Sequence, residues 1–246
     1  MKKNIFLAIL FFLGAHFTYA TIDIQSTFYT TNDGLGNNFV RHIYQDSKGF
    51  MWFSTINGLT RYDGHSFVYF QPGKESEISL LDPHVRNVEE DKNQFLWIQL
   101  SPESFSCYDL RKEQFIDYTG TGDYRKKFAN KYTMSNGDTW LSKSEQGCRR
   151  LTYINGKYQS FVFDTKNKLL PSNNVTKIIE GPNHNVFIGT DNGLVKYADG
   201  KTYAISDVKN IYDMLLYHNT LFILTRDGII YQLKDNETLL TDKKLI

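Results

Sequence analysis

The feature that most constrains this chain is a short pattern that returns along it. Asp46-Ser47-Lys48-Gly49-Phe50-Met51-Trp52-Phe53-Ser54-Thr55 reads as a turn followed by an aromatic strand. Ile56-Asn57-Gly58-Leu59-Thr60-Arg61-Tyr62 then reads as a tight turn and another strand. Asn-Gly between two apolar strands predicts a type I′ hairpin, in which both Asn57 and Gly58 take positive φ. Thr190-Asp191-Asn192-Gly193-Leu194-Val195-Lys196-Tyr197 closely repeats Thr55 to Tyr62. Aligned on the strand aromatic, the repeats fall at Trp52, Trp97, Trp140, Phe187 and Phe222, at intervals of 45, 43, 47 and 35 residues. The turn glycine stands at Gly58, Gly193 and Gly228, is replaced by Glu103 in the second repeat, and is displaced to Gly147 in the third. That displacement predicts a third turn longer by one residue. A Val/Ile strand precedes each aromatic one, and Phe/Tyr strands such as Ser66 to Phe70 and Tyr158 to Phe163 close the unit. Four-stranded units at this period predict an all-β β-propeller of about five blades, which must stack face to face to bury their apolar sides. The spacing divides them at about 30–70, 71–119, 120–163, 164–205 and 206–246.

Residues 1–20 read as an address. Lys2-Lys3 form a basic start, Ile5 to Leu13 an apolar core, and Thr18-Tyr19-Ala20 a small-x-small cleavage site. The apolar run is short for a bilayer span. Cleavage after Ala20 takes the formal charge from +1 to −1. The chain is therefore expected to be exported. Its near-zero charge offers no footprint for nucleic acid or anionic lipid, and no membrane contact is expected of the mature chain.

The composition, with 18 Phe, 16 Tyr, 17 Gly and only 5 Pro, suits short strands and tight turns, and almost no helix is expected. The three Trp are expected in the core. Cys107 and Cys148 fall in like strands of adjacent units. Stacked sheets lie about 10 Å apart and a disulfide needs Cα atoms within about 7 Å, so the two are expected to stay unbridged. No metal-ligand spacing, nucleophile elbow or Walker loop is present, and neither a cofactor nor catalysis is expected. Glu89-Glu90-Asp91 reads as a solvated charge run at a strand end.

Gly34-Leu35, Asn38, Val40, the run Gln45 to Thr55 and Asn57-Gly58-Leu59-Thr60-Arg61-Tyr62-Asp63-Gly64 together resemble the two-component regulator propeller repeat. The first repeat matches strongly, the fourth well, and the others in degenerate form. The resemblance implies the periplasmic sensor region of a hybrid two-component system, many of which sense glycan fragments. Kinase chemistry would lie in domains outside this chain.

In a propeller the first strands line the central axis, and the loops leading into them surround one mouth. Those places are held here by Asn38, Arg41, His42, His84, Arg86, Asn87, Asn174 and Lys177, with Asn37 and Asn173 beside them. Amide, Arg and His groups suit the hydroxyls and carboxylates of an oligosaccharide or other small ligand. For each residue the plain alternative is a turn cap or a solvated charge. The competing function is an exported propeller enzyme such as a polysaccharide lyase, with Arg41 and His42 or His84 as its machinery, or a passive glycan-binding module. Ile24 to Tyr29 reads as a lone fourth strand, while Thr238 to Thr241 already supplies one to the fifth unit. The arc is therefore expected to be open, with further blades or a second protomer as partners.

Overall fold

In a computed structural model of the chain, residues 25–74, 77–101, 103–122, 125–233 and 239–242 are described. The expected leader at 1–20 lies outside them. Among the described residues twenty strands form five antiparallel four-stranded sheets, each in sequential order. Blade 1 comprises β1 (Val40–Gln45), β2 (Met51–Thr55), β3 (Gly58–Tyr62) and β4 (Phe67–Phe70). Blade 2 comprises β5 (Val85–Glu90), β6 (Phe95–Leu100), β7 (Ser104–Asp109) and β8 (Gln114–Ile116). Blade 3 comprises β9 (Asn130–Thr133), β10 (Thr139–Lys143), β11 (Gly147–Ile154) and β12 (Lys157–Phe163). Blade 4 comprises β13 (Val175–Glu180), β14 (Val186–Thr190), β15 (Asn192–Ala198) and β16 (Lys201–Lys209), the last running past the 205/206 division that the spacing indicates. Blade 5 comprises β17 (Ile211–Tyr217), β18 (Thr220–Thr225), β19 (Ile230–Leu233) and β20 (Leu239–Asp242). The only helical turns among the described residues are 3-10 turns at Thr31–Asp33 and Pro182–His184.

The repeated motif is built alike wherever it is kept. In blade 1, Thr55 pairs with Gly58, so the loop is Ile56-Asn57. The Thr55 hydroxyl donates to the Gly58 carbonyl (2.8 Å) and accepts from the Asn57 amide (3.1 Å). Thr190, Asn192 and Gly193 reproduce both bonds at 2.8 and 3.2 Å. The expected type I′ turn is corrected. Asn57 is not left-handed, and the positive φ (+106°) falls on Gly58, the first residue of β3. The glycine takes this strained place at the strand start, and so the two loop residues need none. In the third repeat Lys143 pairs with Gly147 across a loop one residue longer.

Inner strands carry a second repeat that the sequence hides. The register slips between Val40 and His42, Val85 and Asn87, Val175 and Lys177, and Ile211 and Asp213. Arg41, Arg86, Thr176 and Tyr212 therefore sit on equivalent bulges of the first strands.

Packing runs from each blade to the next. Trp52 lies in a buried cluster with Val88 and Ile98 of blade 2. Trp97 joins Leu141 and Leu151 of blade 3, Trp140 joins Ile178 and Ile188 of blade 4, and Phe187 joins Met214 and Ile223 of blade 5. Truncating one of these tryptophans removes a ring whose burial is typically worth about 3–5 kcal/mol. Cys107 and Cys148 are free and belong to different inter-blade clusters.

Among the described residues no cluster joins blade 5 to blade 1, and the arc is open. Val88, Ile178 and Met214 meet the preceding blade and are 1–3% exposed, whereas the equivalent Ile43 of blade 1 is 54% exposed. At the other end Phe222, the fifth strand aromatic, is only half-buried, and Leu215 opposite it is 62% exposed. The expected strand at Ile24 to Tyr29 is also corrected, residue 24 lying outside the described set. Residues 25–29 pair with no sheet. Blade 1 already has four strands, and the Tyr29 ring instead covers its outer edge, 5.2 Å from Tyr62 and 5.3 Å from Phe67. The fourth strand expected near Thr238 to Thr241 is β20, with residue 238 outside the described set.

Candidate functional site

Blade stacking leaves a cleft of about 280 Å³ where the inner strands of blades 2 and 3 approach. Asn87 and Glu89 on β5, Gln99 on β6, and Asn130, Lys131 and Tyr132 on β9 line it. At its floor lies Lys131, almost wholly buried, with its ammonium on the Glu89 carboxylate. The same ammonium sits 5.4 Å from the centre of the Trp97 ring and donates to the Thr133 hydroxyl at 2.8 Å. Lys131 is buried while the Glu89 side chain is about half exposed, so the pair is neutral as a unit with its carboxylate end open to solvent. Around it, three amide side chains offer donors and acceptors. Asn87 uses its Oδ1 to accept from the Val88 amide (2.7 Å), and Asn130 donates to the Ser142 hydroxyl at 3.4 Å. Burial raises the Tyr132 hydroxyl above its ordinary value, partly offset by hydrogen bonds with Ser142 and Ile178. Its ring packs into the cluster between blades 3 and 4, on the opposite face of β9 from Lys131, so the phenol is spent at that junction and only the edge of the residue lines the cleft. The arrangement suits a neutral, hydroxyl-rich group.

Of the residues picked from sequence, only Asn87 enters this cleft. Asn38 is exposed and its Oδ1 accepts from the Thr31 amide at 2.8 Å. Asn174 ties two blades together, accepting from the Glu145 amide (2.9 Å) and the Ser144 hydroxyl (3.2 Å) and donating to Asp191 (2.9 Å). Lys177 bridges to Asp213 of blade 5 at 2.8 Å. Arg86, exposed on its bulge, donates to the Ser101 hydroxyl at 3.2 Å, and Arg41 is exposed on the equivalent bulge. His84 faces Asp82 at 3.0 Å, and His42 stacks on Tyr44 with its Nδ1 buried and unpartnered. Asn37 and Asn173 accept from the Phe39 and Thr165 amides, both at 2.8 Å. Much of the set is thus turn-capping and blade-linking hardware.

Glu89-Glu90-Asp91 is corrected from a solvated run to three separate anchors. Glu89 holds Lys131, and Glu90 accepts from the Ser47 amide (2.7 Å) and hydroxyl (2.6 Å) of blade 1. Asp91 accepts from the Trp97 indole and the Tyr158 hydroxyl, both at 2.9 Å. Among the described residues no cluster of His, Cys, Asp and Glu could hold a metal. None of their helices is long and apolar enough to cross a membrane.

Sequence reasoning missed Glu89, Gln99, Asn130, Lys131 and Tyr132. One signal was present. Nine residues ahead of their aromatics, Ile43, Val88 and Ile178 are apolar, and Lys131 and Asp213 break the column. A charge in a buried column needs a partner, and the partner is found on the neighbouring blade.

A family model described as two component regulator propeller matches residues 34–57. No curated protein matches the chain significantly. Among solved structures, PorZ of Porphyromonas gingivalis, described as a surface component of the type-IX secretion system, is 16% identical with a TM-score of 0.50, covering 81% of this chain and 33% of its own. The extracellular domain of BT4673 from B. thetaiotaomicron is 22% identical with a TM-score of 0.48, covering 87% of this chain and 32% of its own. That of BT3049 from the same organism is 20% identical with a TM-score of 0.44, covering 89% of this chain and 36% of its own. The chain spans about a third of the length of these structures.

Proposed function

We propose that this chain, which carries a two component regulator propeller repeat in its first blade, is an exported ligand-sensing propeller region without catalysis of its own, and that it recognises a glycan fragment. The observation that carries the reading is the cleft between blades 2 and 3, where amides surround a neutralised Glu89–Lys131 pair. Such a site binds hydroxyls by exchange of hydrogen bonds and holds no free base or nucleophile. It also spans a blade junction, so a ligand there would bias how the two sheets meet. The leader at 1–20 supports a periplasmic location. Titration calorimetry with neutral and uronate-containing oligosaccharides tests the proposal. Saturable binding is expected, weakened at least tenfold by Asn87→Ala with Gln99→Ala. Formation of an unsaturated product in the ultraviolet would replace the sensor by a lyase. Binding that ignores both substitutions would move the site elsewhere.

A further inference from the structure

Blades 1 and 2 meet at their outer edges through four rings. Trp52, Phe70 and Tyr108 have centroids 5.4–5.7 Å apart, and Phe115 closes the set at 5.7 Å from Phe70 and 5.2 Å from Tyr108. Beside them Arg61, paired across the sheet with Trp52, is bound by the Glu113 carboxylate at 3.1 Å. Blades 3 and 4 rebuild three of the four. Trp140, Phe163 and Tyr197 have centroids 4.8–5.5 Å apart, and Arg150, paired with Trp140, stands where Arg61 does.

The remaining parts are absent there. Phe115 pairs with Tyr108, and the residue that pairs with Tyr197 is Thr202. Glu113 stands two places ahead of Phe115 with φ +53°; the same place ahead of Thr202 is Gly200, with φ +76°. Loss of one ring and one carboxylate opens a groove of about 910 Å³ lined by Arg150, Phe161, Phe163, Tyr197, Gly200 and Thr202. Phe161 is 47% exposed at its margin. Arg150 donates through Nε to Asp138 at 2.7 Å and through Nη1 to the Tyr197 hydroxyl at 2.6 Å, and it lines the groove with Nη2 outside both bonds. Exposed Lys201 adds a second positive charge, and the buried Ser160 hydroxyl in the wall has no partner.

We infer that this groove docks an extended polypeptide segment of a partner protein that carries a carboxylate two residues ahead of an aromatic ring. The ring takes the place that Phe115 fills at the first junction, and the carboxylate takes that of Glu113 against Arg150 and Lys201. The segment lies along β12, the outermost strand of its sheet. The inference is independent of the glycan reading, because it concerns the outer rim of a different junction.

The chain supplies its own probe, a labelled peptide Lys-Glu-Gln-Phe-Ile-Asp with the sequence of residues 112–117. Anisotropy titration against the full chain should show saturable binding. Replacing Phe by Ala in the peptide should weaken it at least tenfold, and replacing Glu by Gln severalfold. Thr202→Phe, which fills the groove from within, should abolish binding while raising the melting temperature. Should that variant fail to fold, Lys201→Glu, an exposed change, should weaken binding severalfold. No saturable binding, or binding indifferent to these protein substitutions, overturns the inference. Phenylpropionate binding as tightly as the peptide overturns the polypeptide assignment.

Discussion

Asp46 holds several donors at once. Its Oδ2 accepts from the Trp52 indole at 2.7 Å, and its Oδ1 accepts from the Lys48 and Phe50 amides at 3.0 and 2.9 Å. Asp91 does the same for Trp97, Asn93 and Phe95. The carboxylate closes the turn and fixes the ring in one step, which explains the Asp six residues ahead of each of these Trp. Where the aromatic is Phe187 or Phe222, with no N–H to satisfy, that place is Gly181 or Leu216. Blade 3 is the exception, with Met134 there and the Trp140 Nε1 buried without a partner. Asp46→Ala should therefore cost about 3 kcal/mol in urea denaturation, since it strips a charged acceptor from a buried donor. A loss under about 0.5 kcal/mol, the usual range of a surface change, would refute this role. Trp140→Phe should cost less than Trp52→Phe by about 1–2 kcal/mol, because only the latter gives up a made hydrogen bond.

Turns and inter-blade ties decide behaviour at the scale of elements. A Cβ on Gly58 would lie 2.5 Å from the Phe70 carbonyl oxygen and 2.6 Å from the Tyr69 ring, whereas one on Gly228 meets nothing within 4 Å. Both have positive φ, so Gly228→Ala should cost about 1–2 kcal/mol for the left-handed backbone alone. Gly58→Ala adds a backbone clash and should cost more; equal costs in parallel melts would show the turn to be plastic. Glu180 on β13 receives the amide and hydroxyl of Ser135 from blade 3 and contacts His184. Burial would raise its carboxyl, but the Ser135 and His184 hydrogen bonds win and hold it below its ordinary value of 4.5. Asp213 is held below 3.8 chiefly by Lys177. A depressed folded pKa contributes stability that is present above the unfolded value and lost as pH falls through the folded one. The melting temperature should thus begin to fall as pH drops below about 4.5, and Glu180→Gln should flatten that limb. An unchanged acid limb in the variant would assign the loss to other carboxylates.

For the whole molecule the dominant fact is two unmatched faces. Phe39 and Ile43 at one end, and Tyr212, Leu215 and Tyr217 at the other, stand exposed, whereas Val88, Ile178 and Met214, the counterparts of Ile43 at internal junctions, are buried. Large exposed apolar patches promote association. The isolated chain should self-associate in sedimentation velocity as concentration rises, and Ile43→Lys with Leu215→Glu should reduce this without lowering the melting temperature. A monodisperse wild-type monomer that melts cooperatively at high temperature would contradict the open arc.

The blade itself was legible in the sequence. Period-2 strands, the spacing of Trp52, Trp97 and Trp140, and the Thr-x-Asn-Gly turn are local, so short-range sterics and burial on alternate sides specify them. Glu103 in the second repeat shows the limit of such matching, since a left-handed φ of +44° persists there without a glycine. The cleft was not legible. Glu89 and Lys131 are 42 positions apart and become partners only when two sheets stack. The same holds for the Ser47–Glu90 tie, which joins a turn of blade 1 to the inner strand of blade 2. Hydrogen bonding and side-chain alternation within one sheet are written along the strand, and so the sequence determined the repeat and its faces. Which charges meet, which polar groups cap turns and which junction stays unfilled depend on distances between sheets, and only the tertiary structure decided them.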